Sequence, residues 1–474
     1  MIEDSNILVP GFVLFFFIGI MTMFHYSKTN KKRISDEILF SGDNPKEFFI
    51  AKKTFKGFRF PDLYLSINLF LQQYNNFSLR YIDSAHPVNL NEVLFDSFYQ
   101  TKDALINKAS NKDWNIDYSK VTYHPIDNFW VLYDSNRTEF IVRLRYNEFN
   151  DICCLETACV ESKYHQQIIE EINNLAKHNS VYKNKLFSFE FLDSVSDEDG
   201  YEYKKEIVRV RFSEPFHIEE PDIVIEEKIK NILQRNIIDF HNHYPKLKEI
   251  GLRGQQGILF HGPPGTGKTY TCKYLLSQLK DITKIYITGH NLHKLKSIIS
   301  IARSLEPAIL IIEDVDLIFT SREINLYSTS LGEFMDELDG FNKDQELIFV
   351  LTTNDIERLE QAIKNRPGRI NQCILFDLPS SFLRKKYLES YFTDYKLEDC
   401  DLDFISQKVG SVSQAFLKEL VKRSIQFSFE KNDFSSHNIS INQDSIMQAL
   451  NEMKMHGNKS VGSIVGFNLS KETI

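Results

Sequence analysis

The octapeptide Gly262-Pro263-Pro264-Gly265-Thr266-Gly267-Lys268-Thr269 constrains this chain more than any other segment. It fits G-x-x-x-x-G-K-[ST], and its surroundings fit as well. Ile258-Leu259-Phe260 before it reads as a buried strand, and Tyr270 to Leu279 after it reads as a helix. A loop in that place aims backbone N–H groups at an anion bound at the helix N-terminus. Lys268 adds a cation toward the β- and γ-phosphates, and the Thr269 hydroxyl is placed to ligate Mg²⁺. Gly262 through Thr269 are therefore candidate binders of a nucleoside triphosphate with Mg²⁺. Strand and helix patterns alternate from Gly257 to Phe376, which predicts a parallel sheet with helices on both faces.

Two further apolar runs end in polar residues. Ile309-Leu310-Ile311-Ile312 leads into Glu313-Asp314-Val315-Asp316, about 45 residues beyond Lys268. A buried strand that delivers carboxylates at its tip is the Walker B arrangement. The expected order is Asp then Glu; here it is Glu then Asp. Glu313 is assigned to the Mg²⁺ shell and Asp314 to the base that polarises water. Leu347 to Thr353 ends at Asn354, an amide able to hold the attacking water. Arg366-Pro367-Gly368-Arg369 follows about a dozen residues later. Arg366 and Arg369 suit arginine fingers reaching the γ-phosphate of a neighbouring subunit.

The first charged-poor stretch lies at the N-terminus. Ile7 to Phe24 has 18 residues and no charge, with Glu3 and Asp4 before it and Lys28, Lys31, Lys32 and Arg33 after it. That length crosses a hydrocarbon core, and the flanking charges put residues 25–474 on the cytoplasmic side or its topological equivalent. A signal peptide would carry a basic n-region and a small-residue cleavage site, and neither is present. A buried helix of the following domain is the other reading.

From 41 to 195 no catalytic motif appears. Phe60–Gln73 and Gln166–Lys177 have helical spacing, while Val121–Tyr146, Leu186–Leu192 and Glu206–Phe212 read as strands. After Pro379 the pattern turns helical. Six scattered cysteines make no zinc spacing and no disulfide framework. The net charge of −9 argues against a nucleic-acid partner.

These motifs, in this order and spacing, resemble the AAA family of the AAA+ superfamily over roughly residues 216–430. The resemblance implies a hexameric or heptameric homo-oligomeric ring that converts ATP hydrolysis into work on a protein client. It also implies that Gly251 and Leu252 lie near the adenine, and that Asp339-Gly340 ends the helix before the sensor strand. Most threading rings of the family carry an aromatic-apolar-glycine pore loop. Here Ile285-Tyr286-Ile287-Thr288-Gly289 runs into His290-Asn291-Leu292-His293-Lys294 without one. A single N-terminal span and a short pore region are similar to the mitochondrial inner-membrane translocase of the folded Rieske protein. Local strings such as Lys273-Tyr274-Leu275 are similar to a set of bacterial AAA ATPases.

The expected fold is α/β: a P-loop NTPase doubly wound parallel sheet with a C-terminal helical lid, preceded by an α+β N-domain and an N-terminal transmembrane helix. The expected boundaries are 1–25 anchor, 26–40 stalk, 41–215 N-domain and linker, 216–378 large ATPase subdomain, 379–456 lid and 457–474 tail. The expected function is a membrane-anchored ATPase that remodels or translocates a protein client. The alternative is an ATP-dependent switch or scaffold with slow hydrolysis. No His-Glu-x-x-His occurs in residues 1–474, which argues against a built-in zinc protease.

Overall fold

The computed structural model describes residues 48–81, 111–134, 137–148, 150–196, 202–252, 254–317, 345–357, 370–431 and 440–455, with Leu90 and Leu94. The expected anchor, stalk and tail lie outside them, as do Asp339-Gly340 and both candidate finger arginines, Arg366 and Arg369. Among the described residues no helix is long and apolar enough to cross a membrane. The chain forms two compact units. One runs to Val181 and includes Phe191–Arg209; the other comprises Tyr182–Glu190 and the chain from Val210 onward.

The N-terminal unit opens with β1 (Phe49–Lys56), α1 (Phe60–Leu71) and β2 (Phe77–Tyr81). A hairpin of β3 (Asn111–Asp117) and β4 (Lys120–Pro125) follows, then β5 (Asp127–Asp134), β6 (Arg137–Asn147), β7 (Ile152–Cys159) and α2 (Tyr164–His178). The main sheet has five antiparallel strands in the order β1-β7-β6-β5-β2. Strand side chains alternate between faces, so Trp130, Leu132, Val142 and Leu144 pack on α1 and α2. Phe129, Val131, Ile141 and Ala158 form a second apolar face with Leu90 and Leu94.

Arg143 lies on that second face and is fully buried. Its Nε and Nη2 donate to the two oxygens of Asp127 at 2.9 and 2.7 Å, and its Nη1 donates to Glu156 at 3.2 Å. The guanidinium also sits 4.6 Å from the Phe129 ring centre. A planar fork matched to a carboxylate is the arrangement that tolerates burial.

The second unit starts with β8 (Leu186–Ser196) and β9 (Glu202–Phe212), whose other portions belong to the first. Helices α3 (Glu227–Leu233) and α4 (Phe240–Glu249) are joined by a π-helical turn over Gln234–Asp239. Then come β10 (Gln255–His261), α5 (Lys268–Gln278), β11 (Thr283–Ile287), α6 (Leu295–Ser304), β12 (Ala308–Ile312), β13 (Leu347–Thr353) and β14 (Gln372–Leu375). The sheet order is β14-β10-β13-β12-β11-β8-β9, with the β10–β14 group pairing in parallel. Every residue of β12 and β13 is buried. Such continuous apolar runs are the mark of strands covered on both faces.

The expected boundary at 215 is corrected here. Leu186 and Phe187 pair in parallel with Lys284 and Ile285, and the Lys284 N–H donates to the Lys185 carbonyl at 2.8 Å. Residues 182–190 are therefore part of the ATPase-side sheet, because the apolar β11 edge needs a hydrogen-bonding neighbour. The lid comprises α7 (Ser381–Tyr391), β15 (Lys396–Glu398), α8 (Leu402–Lys408), α9 (Gln414–Lys431), β16 (Ser440–Asn442) and α10 (Gln443–Met455) around its own core. Ser380 and Asp401 cap α7 and α8 by accepting from the Leu383 and Phe404 N–H groups.

Both tryptophans, Trp114 and Trp130, fall in the N-terminal unit, so tryptophan fluorescence in urea reads that unit alone. Arg143→Leu strands two buried carboxylates and should lower its stability by about 3–5 kcal/mol. Replacing Arg143, Asp127 and Glu156 together with apolar residues should recover most of that loss. A loss below about 1 kcal/mol for Arg143→Leu would show that water reaches the pair.

Candidate functional site

The parallel register delivers three strand tips to one sheet edge. His261 pairs with Thr353 across β10 and β13, and Ile312 pairs with Leu351 across β12 and β13. The octapeptide loop leaves β10, the acidic turn leaves β12 and the amide leaves β13, all on the same side. Ligands of open α/β sheets bind outside these carboxyl ends.

Gly267 is the N-cap of α5 and adopts the left-handed region at φ +95°. A side chain there is strained, and an added Cβ would also fall 2.4 Å from the Gln414 Oε1 of the lid. The helix then starts at Lys268, which is nearly fully buried. Its ammonium donates to the carbonyls of Gly262 and Pro263 at 2.8 and 2.9 Å. Burial pushes the ammonium down to about 8, against the opposing pull of Asp314 and Asp316. Thr266 fixes the loop by donating to the Pro263 carbonyl at 2.9 Å.

The acidic turn is tied to β13 by several bonds. The Asp314 N–H donates to Thr352 Oγ1 at 3.1 Å, and the Val315 N–H donates to the Thr352 carbonyl at 3.0 Å. Asp314 itself has φ +50°. Its carboxylate accepts from Asn354 Nδ2 at 3.2 Å. Burial, then Asp316 and Glu313, raise its pKa, while Lys268 and Asn354 lower it. Asp316 accepts from Thr353 Oγ1 at 2.9 Å and from the Asn354 N–H at 3.2 Å. Asp316 thus holds the tip of β13, a role its place in the acidic run did not announce.

Glu313 turns the other way, toward Tyr286 and Cys272. Burial raises the Tyr286 phenol, with Glu313 contributing both charge and a hydrogen bond. Glu313 Oε1 is buried without a hydrogen-bond partner among the described residues. Among those residues no cluster of three or more His, Cys, Asp or Glu could hold a metal alone. The Thr269 hydroxyl lines the same cleft as Lys268 and suits a Mg²⁺ ion that arrives with phosphate oxygens, since such ions take few protein ligands; Glu313 is not among the residues lining that cleft.

Lys268, Thr269, Asp314 and Asn354 line one cleft of about 650 Å³ together with Pro264, Gly265 and Gly267. Its other walls were not foreseen. Val224 and Asp222 enter from the segment before α3, and Tyr387, Ser390, Tyr391, Gln414, Ala415 and Lys418 enter from the lid. The Tyr387 and Tyr391 rings stack at 6.1 Å and 22°, and the Tyr387 hydroxyl donates to the Val224 carbonyl. This apolar, aromatic end suits the face of a purine, and the loop end suits phosphates. Lid aromatics carry no local motif, so their only signal was a helix pattern after Pro379.

Gly251 is not among the residues that line the cleft, and its φ of +87° closes the C-terminus of α4. Its N–H donates to the Lys248 carbonyl at 3.0 Å, the work of a helix-ending glycine. Leu252 is likewise exposed and away from the cleft.

Residues 258–378 match the model of the "ATPase family associated with various cellular activities (AAA)". The chain is 29% identical over 221 residues to the ATP-dependent zinc metalloprotease FtsH of Lachnoclostridium phytofermentans, covering 43% of this chain and 38% of that protein. It is 29% identical over 226 residues to the 26S proteasome regulatory subunit 8 homolog of Schizosaccharomyces pombe, covering 44% and 55%. It is 29% identical over 212 residues to the mitochondrial inner membrane i-AAA protease supercomplex subunit YME1 of Saccharomyces cerevisiae, covering 42% and 28%. The chain thus spans between about a quarter and about half the length of these relatives.

Asp316→Ala frees the backbone of Asn354 and breaks no hydrogen bond of the phosphate cradle. It should lower ATP turnover by up to about 10²-fold, the scale of a group misplaced by about 1 Å, while a fluorescent ATP analogue binds within about twofold of the parent. Equal losses in binding and turnover would place Asp316 in the scaffold of the cradle instead.

Proposed function

We propose, from the premise that residues 258–378 are an AAA ATPase domain and hydrolyse ATP, that this chain couples hydrolysis to the remodelling or translocation of a protein client within an oligomeric ring. The observation that carries the reading is the convergence of Lys268, Asp314 and Asn354 on one cleft beneath a helical lid. A lid that contributes Tyr391 and Gln414 to the nucleotide cleft changes its own contacts when the nucleotide changes, which is what a motor requires.

The residues divide the chemistry. The loop N–H groups and Lys268 bind the phosphates. Asn354 orients the attacking water, and an Asp314 carboxylate oxygen accepts its proton. Thr269 would hold Mg²⁺, with Glu313 the second candidate for its shell, and the ion would supply neutralisation of phosphate charge. Arg366 and Arg369 complete the proposal as fingers acting on a neighbouring subunit, so the working form is a homo-oligomer, hexameric or heptameric.

The mode of work follows from the segment after β11. Gly289–Lys294 is a short 3₁₀ turn, and Asn291 Nδ2 donates to the Phe189 carbonyl of β8 at 2.6 Å. A segment tied to the sheet edge, without an aromatic grip, favours concerted ring motion on a folded client over threading. The proteasome subunit and protease relatives support protein as the client class. Anchoring through Ile7–Phe24, with the ATPase on the cytoplasmic side or its equivalent, belongs to the same reading. Its support is the uncharged stretch and the basic residues that follow it.

A switch with slow hydrolysis is the second reading, favoured by the Glu313-Asp314 order, which puts the shorter carboxylate at the water. The two separate on turnover against concentration. A motor with fingers in trans loses specific activity on dilution to monomers. Arg366→Ala and Arg369→Ala should keep nucleotide binding and cut turnover on the order of 10³-fold. Constant activity per chain in strictly monomeric samples, or unaltered turnover in both variants, would remove the ring from the account.

A further inference from the structure

The N-terminal unit carries a second cleft, of about 640 Å³, where the end of α1 meets the start of α2. Its inner wall is aromatic. Phe70, Tyr74 and Phe140 form a cluster in which the Tyr74 and Phe140 rings meet edge to face at 5.3 Å and 75°. Its rim is acidic: Glu139 at the start of β6, Glu161 after β7 and Glu171 on α2 are all exposed cleft residues.

The charge on this rim is weakly compensated. Glu171 receives the Gln73 amide at 3.4 Å, a long contact, and among the described residues neither Glu139 nor Glu171 has a cationic partner. The Tyr74 phenol is raised first by burial and then by Glu171 and Glu139, so both carboxylates act on the same ring. One cation shows how the rim is used. Lys163 sits 3.2 Å from Glu161, and its ammonium lies 4.6 Å from the Tyr164 ring centre, with both charged side chains mostly exposed. A carboxylate on one side and a π face on the other is the geometry that attracts ammonium and guanidinium groups. The same carboxylates repel phosphates and acidic side chains.

The geometry points to a docking site for a basic segment of a protein, with a lysine or arginine side chain laid against Tyr74 and Phe140 and its charge between Glu139 and Glu171. Long basic side chains suit it because their methylene stems cover apolar surface while the head stays at the carboxylates. The cleft volume admits one or two such side chains. That the segment belongs to the client of the ATPase rests on the reading under Proposed function; binding itself does not.

The test uses the full chain in detergent and fluorescence anisotropy. The probe is a fluorescein-labelled dodecapeptide of Lys-Gly-Ser repeats, with Glu-Gly-Ser repeats and spermine as comparisons. The lysine peptide should bind and the glutamate peptide should not. Glu139→Gln combined with Glu171→Gln should weaken the lysine peptide by about five- to tenfold. The control pair Glu249→Gln and Glu430→Gln removes the same charge elsewhere and should change it less than about twofold. Tyr74→Ala should weaken it, and Tyr74→Phe should restore it, which separates the ring face from the hydroxyl. Equal losses in the two glutamate pairs, no loss in the first, or spermine binding as tightly as the peptide would overturn the site. Lysine-peptide binding that follows the pattern but leaves ATP turnover unmoved would uphold the site and count against the remodelling reading.

Discussion

The pairing of β13 with β10 on one side and β12 on the other is the constraint on which the rest depends. It sets Thr353 beside His261 and Leu351 beside Ile312. A slip of one residue in either pair would move Asn354 or Asp314 off the edge shared with Lys268, since parallel strands carry alternate residues to opposite faces. The register is secured by burial. All seven residues of β13 and all five of β12 are buried, so any shift exposes apolar surface at about 25 cal/mol per Å².

That rigid sheet allows an expensive site to exist. Lys268 is a cation in a poorly solvated place and satisfies its ammonium on the loop carbonyls. Asp314 occupies the left-handed region, and its neighbours Asp316 and Glu313 repel it. Each of these costs free energy in the absence of a triphosphate, and the cost at the acidic turn is offset by bonds at the end of β13: the Asp314 N–H donates to Thr352 Oγ1, and Thr353 Oγ1 and the Asn354 N–H donate to Asp316. The lid is attached at the same point, since Ala415 N–H donates to the Gly265 carbonyl at 3.0 Å. The phosphate-binding loop and the lid therefore share a backbone contact.

Much of the ATPase half was legible because most of the candidate residues sit at the ends of apolar runs. The loop, Glu313-Asp314 and Asn354 all follow this rule, and strand burial explains why. Other features had no such signature. Residues 182–190 read as part of the N-domain because strand pairing across a crossover leaves no local trace. Gly251 was placed near the base by resemblance alone, and what the structure adds is that its positive φ closes α4. Tyr387 and Tyr391 were hidden in an ordinary helix pattern. In the N-terminal unit Arg143 sits in an alternating strand, where a charge reads as solvent-facing; the structure buries it because Asp127 and Glu156 sit on neighbouring strands.

The most direct measurement is a structure of the full chain carrying Asp314→Asn, solved with ATP and Mg²⁺ by electron cryo-microscopy. The account predicts the γ-phosphate within hydrogen-bonding reach of Lys268 Nζ, with the Asn354 amide facing it and the base against the Tyr391 side of the cleft. A nucleotide bound elsewhere, or one whose phosphates point away from Lys268 and Asn354, would contradict it.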